Sequence, residues 1–530
     1  MISSGEVNRT LTAVRRSGAA ADIEATLRPV RAGRPRAVSA EVFLAALMLT
    51  ARHKKAMTLT AVHEILTRDI PVSTQIELGT RGPRKGSKPG QPITIRQVRY
   101  VLEAIEKRLA YTPERVKELP QEVRESRQQA LQDILDKLLD GVMPVGIEHN
   151  GSYALDETGV WAWGRGKKAR SGSSAGGAEQ DEDKGSTPAD PDARWGRKTA
   201  KGGGDEMYFG YGVYALTRIP EVGQPSNTAP ILTERIIVRP AAKGEIEPSL
   251  AGIDSLRKAG RNVNEVVCDR GFSYKVATSW ADQLRARGIT QVMDIHPSDQ
   301  RVMPHQGVAM VDGAPHCPGT PQELLLIQRP KSLGQSDELD AFIEASDTRA
   351  QFALRPVGKG RKDGDTRWQC PALAGKVRCA LRDISAGFDE SLPKAQNPAK
   401  SAAPKCCTQE TITVPAKAQA KLRQQHYYGS TEWVKSYKRR TYVEGAFGNL
   451  KNRNTENLTR GWAQVMGIVK TSIMLAAAAA AANLRLLRAW AAKTGDITDP
   501  LAKPDPSEAL FEELDPATGA ATPTGPPAAA

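Results

Sequence analysis

Between residues 152 and 269 the apolar residues change period, and the order they spell out is strand, strand, strand, helix, strand. Tyr153-Ala-Leu-Asp156 and Val160-Trp-Ala-Trp163 read as strands, the first ending at Asp156. A long strand follows over Glu206 to Leu216, and another over Ile231 to Val238. Pro248 to Ala259 has helical spacing, and Glu265-Val-Val-Cys268 reads as a short strand buried on both faces. Ser273 to Arg287 is expected to be a helix and Thr290 to Ile295 one more strand. Helices that alternate with strands in this way cover a sheet, so the fold class is α/β.

The chain before this block is helical. Val42, Leu44, Ala45 and Leu49, then Val62, Ile65 and Leu66, recur at helical spacing, and Thr58 or Thr60 can cap the second helix. A basic break, Arg81-Gly-Pro-Arg-Lys-Gly-Ser-Lys-Pro-Gly90, precedes helices over Ile95 to Leu109 and about Pro113 to Leu139. Residues 1–142 are therefore expected to be an all-helical N-terminal unit for DNA binding or dimerisation. Residues 143–300 begin the α/β core, and the Gly/Ser/Asp/Lys-rich stretch 164–192 inside them is expected to be disordered. Residues 301–430 form a loop-rich insertion with short strand signals. Residues 431–493 close the core with two helices, about Lys438 to Lys451 and Ala463 to Ala491, and the Pro/Ala-rich tail 494–530 is expected to be disordered. At 530 residues a division into two to four units is the ordinary outcome.

Charge narrows the class of partner. There are 74 Lys+Arg against 60 Asp+Glu, for a net charge of +14. A chain this basic belongs near a polyanion, of which nucleic acid is the commonest. Six cysteines in this length argue against a secreted disulfide framework, and Met1 to Ala20 lacks the apolar run of a signal peptide. The apolar stretch Ile468 to Leu487, with its run Ala476 to Ala482, carries Lys470, Asn483 and Arg485 and reads as a helix of a soluble protein. A cytoplasmic location with no membrane partner is the expectation.

Three carboxylates stand out by position. Asp156 ends a strand, Asp269 directly follows the buried strand Val266-Val-Cys268, and Glu444 lies on a helix. Strand ends that meet in one sheet bring side chains together, and a helix beside them adds a third. Such a cluster suits Mg²⁺, which takes a few carboxylate oxygens and leaves its remaining positions to water and phosphate. Two such ions stabilise both the attacking and the leaving oxygen of a phosphodiester. Glu148 and Glu157 compete with Asp156 for the same role. Around Glu444, Tyr437, Arg440 and Lys451 fall at offsets of 3, 7 and 14 from the tyrosine, on one face if the helix is continuous. That face offers a guanidinium and an ammonium to phosphate oxygens. An Arg440–Glu444 ion pair on a plain surface helix is the simpler alternative.

At these residues the sequence resembles insertion-sequence transposases of the DDE type that carry the Tyr-Arg-Glu-Lys signature. Tyr437, Arg440, Glu444 and Lys451 match its spacing Y-x2-R-x3-E-x6-K. Cys268-Asp269-Arg270-Gly271-Phe272-Ser273-Tyr274 is similar to its second-Asp motif, and Leu155-Asp156-Glu157-Thr158 to its first. The resemblance covers about 145 to 300 and 430 to 490. It implies a ribonuclease-H-like mixed sheet flanked by helices and interrupted by a β-rich insertion. It further implies Asp156, Asp269 and Glu444 as catalytic ligands of two Mg²⁺ ions, replaceable by Mn²⁺. Tyr437, Arg440 and Lys451 are then DNA contacts. The activity it implies is cleavage of double-stranded DNA at inverted repeats and transfer of the 3′-OH into target DNA, by a homodimer. Alternatives are a ribonuclease-H-like nuclease without transposition and an inactive DNA-binding relic. The Gly/Ser/Asp-rich insertion after Trp163 departs from the family pattern.

Weaker signals remain open. Arg34-Pro35-Arg36 fits either a minor-groove hook or a flexible basic leader. The N-terminal helices fit either a helix-turn-helix or a packing role. Cys317, Cys370, Cys379, Cys406 and Cys407, with His305 and His316 nearby, supply enough ligands for structural zinc, but their spacing is irregular. Cys268 reads as a small buried residue. Trp161, Trp163, Trp195 and Trp433 read as packing residues rather than stacking partners for a flipped base, and Trp462 as a staple before the last helix.

Overall fold

The computed structural model describes residues 1–28, 36–82, 90–147, 149–166, 188–199, 204–225, 228–242, 244–334, 336–358, 365–396, 400–495 and 499–503. Seven helices come first: α1 (Ser4–Ser17), α2 (Ala19–Leu27), α3 (Ala40–Arg52), α4 (Leu59–Glu64), α5 (Val72–Glu77), α6 (Ile95–Leu109) and α7 (Gln121–Asp140). Local chemistry starts them where the sequence suggests. Ser39 caps α3 by accepting from Val42 N at 3.2 Å, Thr58 caps α4 through Ala61 N, and Thr94 and Gln97 form a capping box on α6. The first 28 residues form α1 and α2, within the stretch expected to be helical, because Val7, Leu11, Val14 and Ile23 give them an apolar face that packs on α3. Arg34 and Pro35 lie outside the described residues, and Arg36 is ion-paired with Glu24.

The central sheet is mixed. Its strands are β1 (Ser152–Trp161), β2 (Arg194–Thr199), β3 (Asp205–Arg218), β4 (Thr233–Pro240), β5 (Glu265–Cys268) and β6 (Thr290–Met293). The order is β2-β3-β1-β5-β6, with β4 also on β3. β2, β3, β4 and β1 pair antiparallel, whereas β1, β5 and β6 are parallel. Parallel pairs need crossovers, and α8 (Ile246–Lys258) and α9 (Ala281–Ala286) lie in the connections before and after β5. All four residues of β5 are buried, as a central parallel strand requires.

The structure corrects several expectations. The two strands expected over Tyr153–Asp156 and Val160–Trp163 are one, so Asp156 lies inside β1 and does not end it. Gly159 does not break the strand because the Tyr208 ring packs on it; a Cβ there would stand 2.5 Å from Tyr208 Cζ. The helix expected over Ser273–Arg287 is a 3₁₀ turn, Arg270–Tyr274, followed by the short α9. Residues 167–187 of the expected disordered stretch and 504–530 of the tail lie outside the described residues. Residues 188–192 are ordered, and Asp190 and Asp192 are buried.

Those two aspartates hold the last helix. After the insertion come α13 (Thr431–Lys438), α14 (Thr441–Lys451) and α15 (Ile468–Thr494). Asp190 accepts from Gly467 N at 3.1 Å and Asp192 from Ile468 N at 2.9 Å, which places negative charge at the positive end of α15. α15 is long and apolar enough to cross a membrane, but most of that apolar window is buried inside the fold. Its alanine run lets it pack closely on α3, α7 and β4, and one core joins the N-terminal helices, the sheet and α15.

The insertion holds β7 (Met303–His305), β8 (Val308–Val311) and β9 (Ala314–His316) in one small sheet. Next come α10 (Gln322–Leu325) and α11 (Asp337–Gln351), then a second small sheet from β10 (Arg355–Val357), β11 (Thr366–Gln369) and β12 (Thr411–Val414), with α12 (Lys405–Thr408) before β12. The helix α11, capped by Ser336, is an element that the loop-rich reading misses.

Asn483 inside α15 explains how an edge strand is satisfied. Its side chain accepts from Thr233 N at 3.0 Å and donates to Thr233 O at 2.7 Å, all buried. Asn483→Leu leaves both backbone groups unpaired and is expected to cost about 3 kcal/mol in urea unfolding. A loss below about 0.5 kcal/mol would show that this pair does not hold the strand.

Candidate functional site

The β1–β5 ladder decides which residues meet. Its register runs Ser152↔Glu265 to Leu155↔Cys268, so the next residues along the two strands are Asp156 and Asp269. Adjacent strands lie about 4.8 Å apart, which brings these two carboxylates to one end of the parallel ladder. Asp269 is held there by a turn of its own: its Oδ1 accepts from Gly271 N at 2.7 Å, capping the 3₁₀ turn. A Cβ on Gly271 would stand 2.9 Å from that oxygen, so glycine is needed for the close approach.

Glu444 reaches the same region from α14, which packs on β1 and β3. The helix expected to be continuous through Tyr437 and Lys451 is broken at Arg439–Arg440. The cause is Arg439, a buried side chain that turns inward to Glu265 Oε2 at 2.5 Å and to Pro220 O at 3.1 Å. Burying that cation requires its partner, so the break is tied to the first residue of β5. The Tyr-Arg-Glu-Lys face still converges. Arg440 donates to Asp156 Oδ2 at 3.3 Å and also pairs with Glu444. Tyr437 packs its ring 6.0 Å from the Arg440 guanidinium and stacks on Trp433 with centroids 4.8 Å apart. Lys451 donates to the Thr158 hydroxyl, two residues along β1 from Asp156.

The electrostatics of Asp156 set it apart. Burial pushes its carboxyl up to about 7, Arg440 opposes this, and Asp269 and Glu444 add to it. Burial, then Lys198, lowers the Lys451 ammonium, which Asp156 partly restores. Burial lowers the Arg440 guanidinium, but Tyr437, Glu444 and Asp156 outweigh it and the net shift is upward.

A cleft of about 240 Å³ opens beside these groups, lined by Asp156, Glu157, Arg197, Lys198, Glu245 and Asp269 among others. Three of these were not anticipated from sequence. Glu245 sits at the start of α8 and pairs with Lys275 at 2.7 Å. Arg197 and Lys198 come from β2, a strand hidden in the sequence by Gly196 and its charges. Glu157, treated above as a competitor, lines the same cleft; burial raises its carboxyl, with Glu245 and Asp269 adding to the effect. Glu148 lies outside the described residues. Among the described residues no three His, Cys, Asp or Glu side chains converge closely enough, as they stand, to hold a metal ion.

Cys268 is fully buried beside Asp269, as expected, and Trp433 and Trp462 are core residues. Trp161 carries Arg460 over its ring at 4.6 Å. A scan against known protein families finds no match for this chain, and a search of curated proteins returns no similar one.

The Asp156 shift makes a signed prediction. Its carboxyl is raised on folding, so the unfolded chain binds fewer protons between the ordinary carboxylate range and about pH 7. Stability therefore falls as pH rises through that window. Asp156→Asn is expected to stabilise the protein at pH 8 by on the order of 2–4 kcal/mol, with the gain narrowing by about pH 5. Thermal unfolding of both proteins across this range checks it, and a variant less stable at pH 8 contradicts it.

Proposed function

We propose that this chain is a DDE-type DNA transposase that cuts double-stranded DNA at inverted repeats and joins the freed 3′-OH to target DNA. The observation that carries the reading is the convergence on Asp156: Asp269 follows the neighbouring parallel strand, Arg440 bonds both Asp156 and Glu444, and Lys451 reaches Thr158 of the same strand. These are the residues that the Tyr-Arg-Glu-Lys and two-Asp motifs single out, and they come from segments as far apart as 156 and 451. A surface helix with only an internal Arg440–Glu444 pair would not involve Asp156. A ribonuclease-H-like core is supported by the sheet, in which antiparallel β1, β3 and β4 are followed by α8 and then by β5 parallel to β1.

The donor chemistry fits Mg²⁺, with Mn²⁺ as a substitute. The groups are hard carboxylate oxygens, and the desolvation and crowding by Asp269 and Glu444 that push the Asp156 carboxyl up to about 7 are what an entering cation would relieve as it displaces the proton. Asp156, Asp269 and Glu444 would hold two ions, which when bound stabilise the attacking and leaving oxygens of the phosphodiester. The protein's own cations do the rest. Arg440 presents a fork that a phosphate can take over from the two carboxylates it now bonds. Lys451, Arg197 and Lys198 place further positive charge along the cleft. Tyr437, stacked on Trp433, fixes the direction of Arg440. The net charge of +14 suits two DNA segments, element end and target, held together by a homodimer in the synaptic complex.

Purified protein incubated in Mg²⁺ with the DNA flanking its reading frame is expected to cut at fixed positions. Glu444→Ala is expected to lose cutting by at least about 10³-fold while keeping DNA binding, since a ligand is removed and the basic surface is not. Equal cutting by both proteins, or tight binding with no cutting by either, contradicts the proposal.

A further inference from the structure

Five of the six cysteines lie within residues 301–430, and the fold gathers them. Cys317, Cys370 and Cys379 belong to one buried cluster whose other members are Phe352, Ala372, Val377 and Ala395. Cys406 and Cys407 belong to the adjoining cluster, and Leu381 packs on both. Backbone bonds lash the four segments together. Gln396 N donates to Gly319 O at 2.7 Å, and Ala395 N to Arg378 O at 2.8 Å, so the Cys317 turn lies against the Cys379 segment. Cys370 N donates to Glu410 O at 3.2 Å, three residues after Cys407.

We propose that Cys317, Cys370, Cys379 and Cys407 form a structural tetrathiolate zinc site that holds the insertion together. The need for one follows from the core. Two three-stranded sheets and two clusters of seven buried residues each, five of the fourteen being cysteines, bury little apolar surface, and domains of that kind are usually stapled. All five cysteines are free and buried, and four thiolates are one of the standard ligand sets of structural zinc.

Each ligand is prepared locally. Gly319 N donates to Cys317 Sγ at 3.4 Å, an amide aimed at sulfur across a Cys-Pro-Gly turn. The Ser385 hydroxyl accepts from Cys379 N at 2.9 Å and donates to Cys379 O at 2.7 Å, fixing that segment. Cys406 Sγ lies against the β7–β8 turn, 3.5 Å from where a Cβ on Gly307 would stand, which leaves Cys407 as the fourth ligand. His316 is turned away, with Nδ1 on Ala314 O at 3.0 Å and its ring toward Tyr427. Among the described residues no three of these side chains stand at ligand spacing, so zinc binding would require the four turns to close inward. Each thiol gives up its proton to solvent as its sulfur bonds zinc, and nothing is oxidised or reduced.

The test is elemental analysis of the full chain purified from zinc-supplemented cells without chelator. About one zinc per chain is expected, released when the thiols are alkylated. Cys317→Ser and Cys407→Ser are expected to lower zinc content about tenfold, and Cys406→Ser to retain it. Because a ligand variant can fail to fold, Co²⁺ is also added to the metal-stripped wild type, where the visible bands of tetrahedral thiolate coordination are expected. Wild type that carries no zinc and gives no such bands overturns the proposal. So does a mass deficit showing disulfides, or loss of zinc from Cys406→Ser equal to that from Cys407→Ser.

Discussion

The parallel ladder between β1 and β5 is the constraint on which the rest depends. It is only four residue pairs long, yet its register decides that Asp156 and Asp269 leave the sheet side by side. A slip of one residue would turn the side chains of one strand to the opposite face and separate the carboxylates. The ladder is protected by complete burial of β5 and by Arg439, which ties the α13–α14 break to Glu265 at the start of that strand. The same ion pair thus steadies the strand before Asp269 and the helix that carries Glu444.

A second buried set of charges steadies the other side of the core. Asp190 and Asp192 sit at the N-terminus of α15 and are answered by Arg115 and by the Tyr211 hydroxyl. Against these well-satisfied groups, Asp156 is an exception: half-buried, crowded by like charge and, among the described residues, ion-paired with Arg440 alone. Raised carboxylates of this kind collect where a protein accepts lower stability in return for chemistry. Arg440 divides itself between Asp156 and Glu444, so any anion or cation entering the cleft changes the partners of all three.

Much of this was legible in the sequence because it rests on local pattern. The helical first 140 residues, the buried strand before Asp269, the helix of Glu444 and the burial of Cys268 follow from periodicity and capping. What the sequence hides depends on distant partners. Gly159 and Gly196 look like strand breakers, but both lie against the Tyr208 ring, which lets β1 run on through Asp156 and brings β2 with Arg197 and Lys198 to the cleft. The helix break at Arg439 answers to Glu265, and the order of residues 188–192 to α15, partners far away along the chain. Glu245 enters the cleft only because α8 begins beside the Asp269 turn, a consequence of topology rather than motif.

The central claim is that the carboxylates of β1, β5 and α14 make one metal centre. It is tested most directly by replacing Mg²⁺ with Fe²⁺ and generating hydroxyl radicals at the bound ion, which cut the backbone only within a few ångströms. The account predicts fragments ending near residues 156, 269 and 444 together, suppressed by excess Mg²⁺ and absent in Asp156→Asn. Cuts confined to one of the three segments, or cuts elsewhere that Mg²⁺ suppresses equally well, would contradict it.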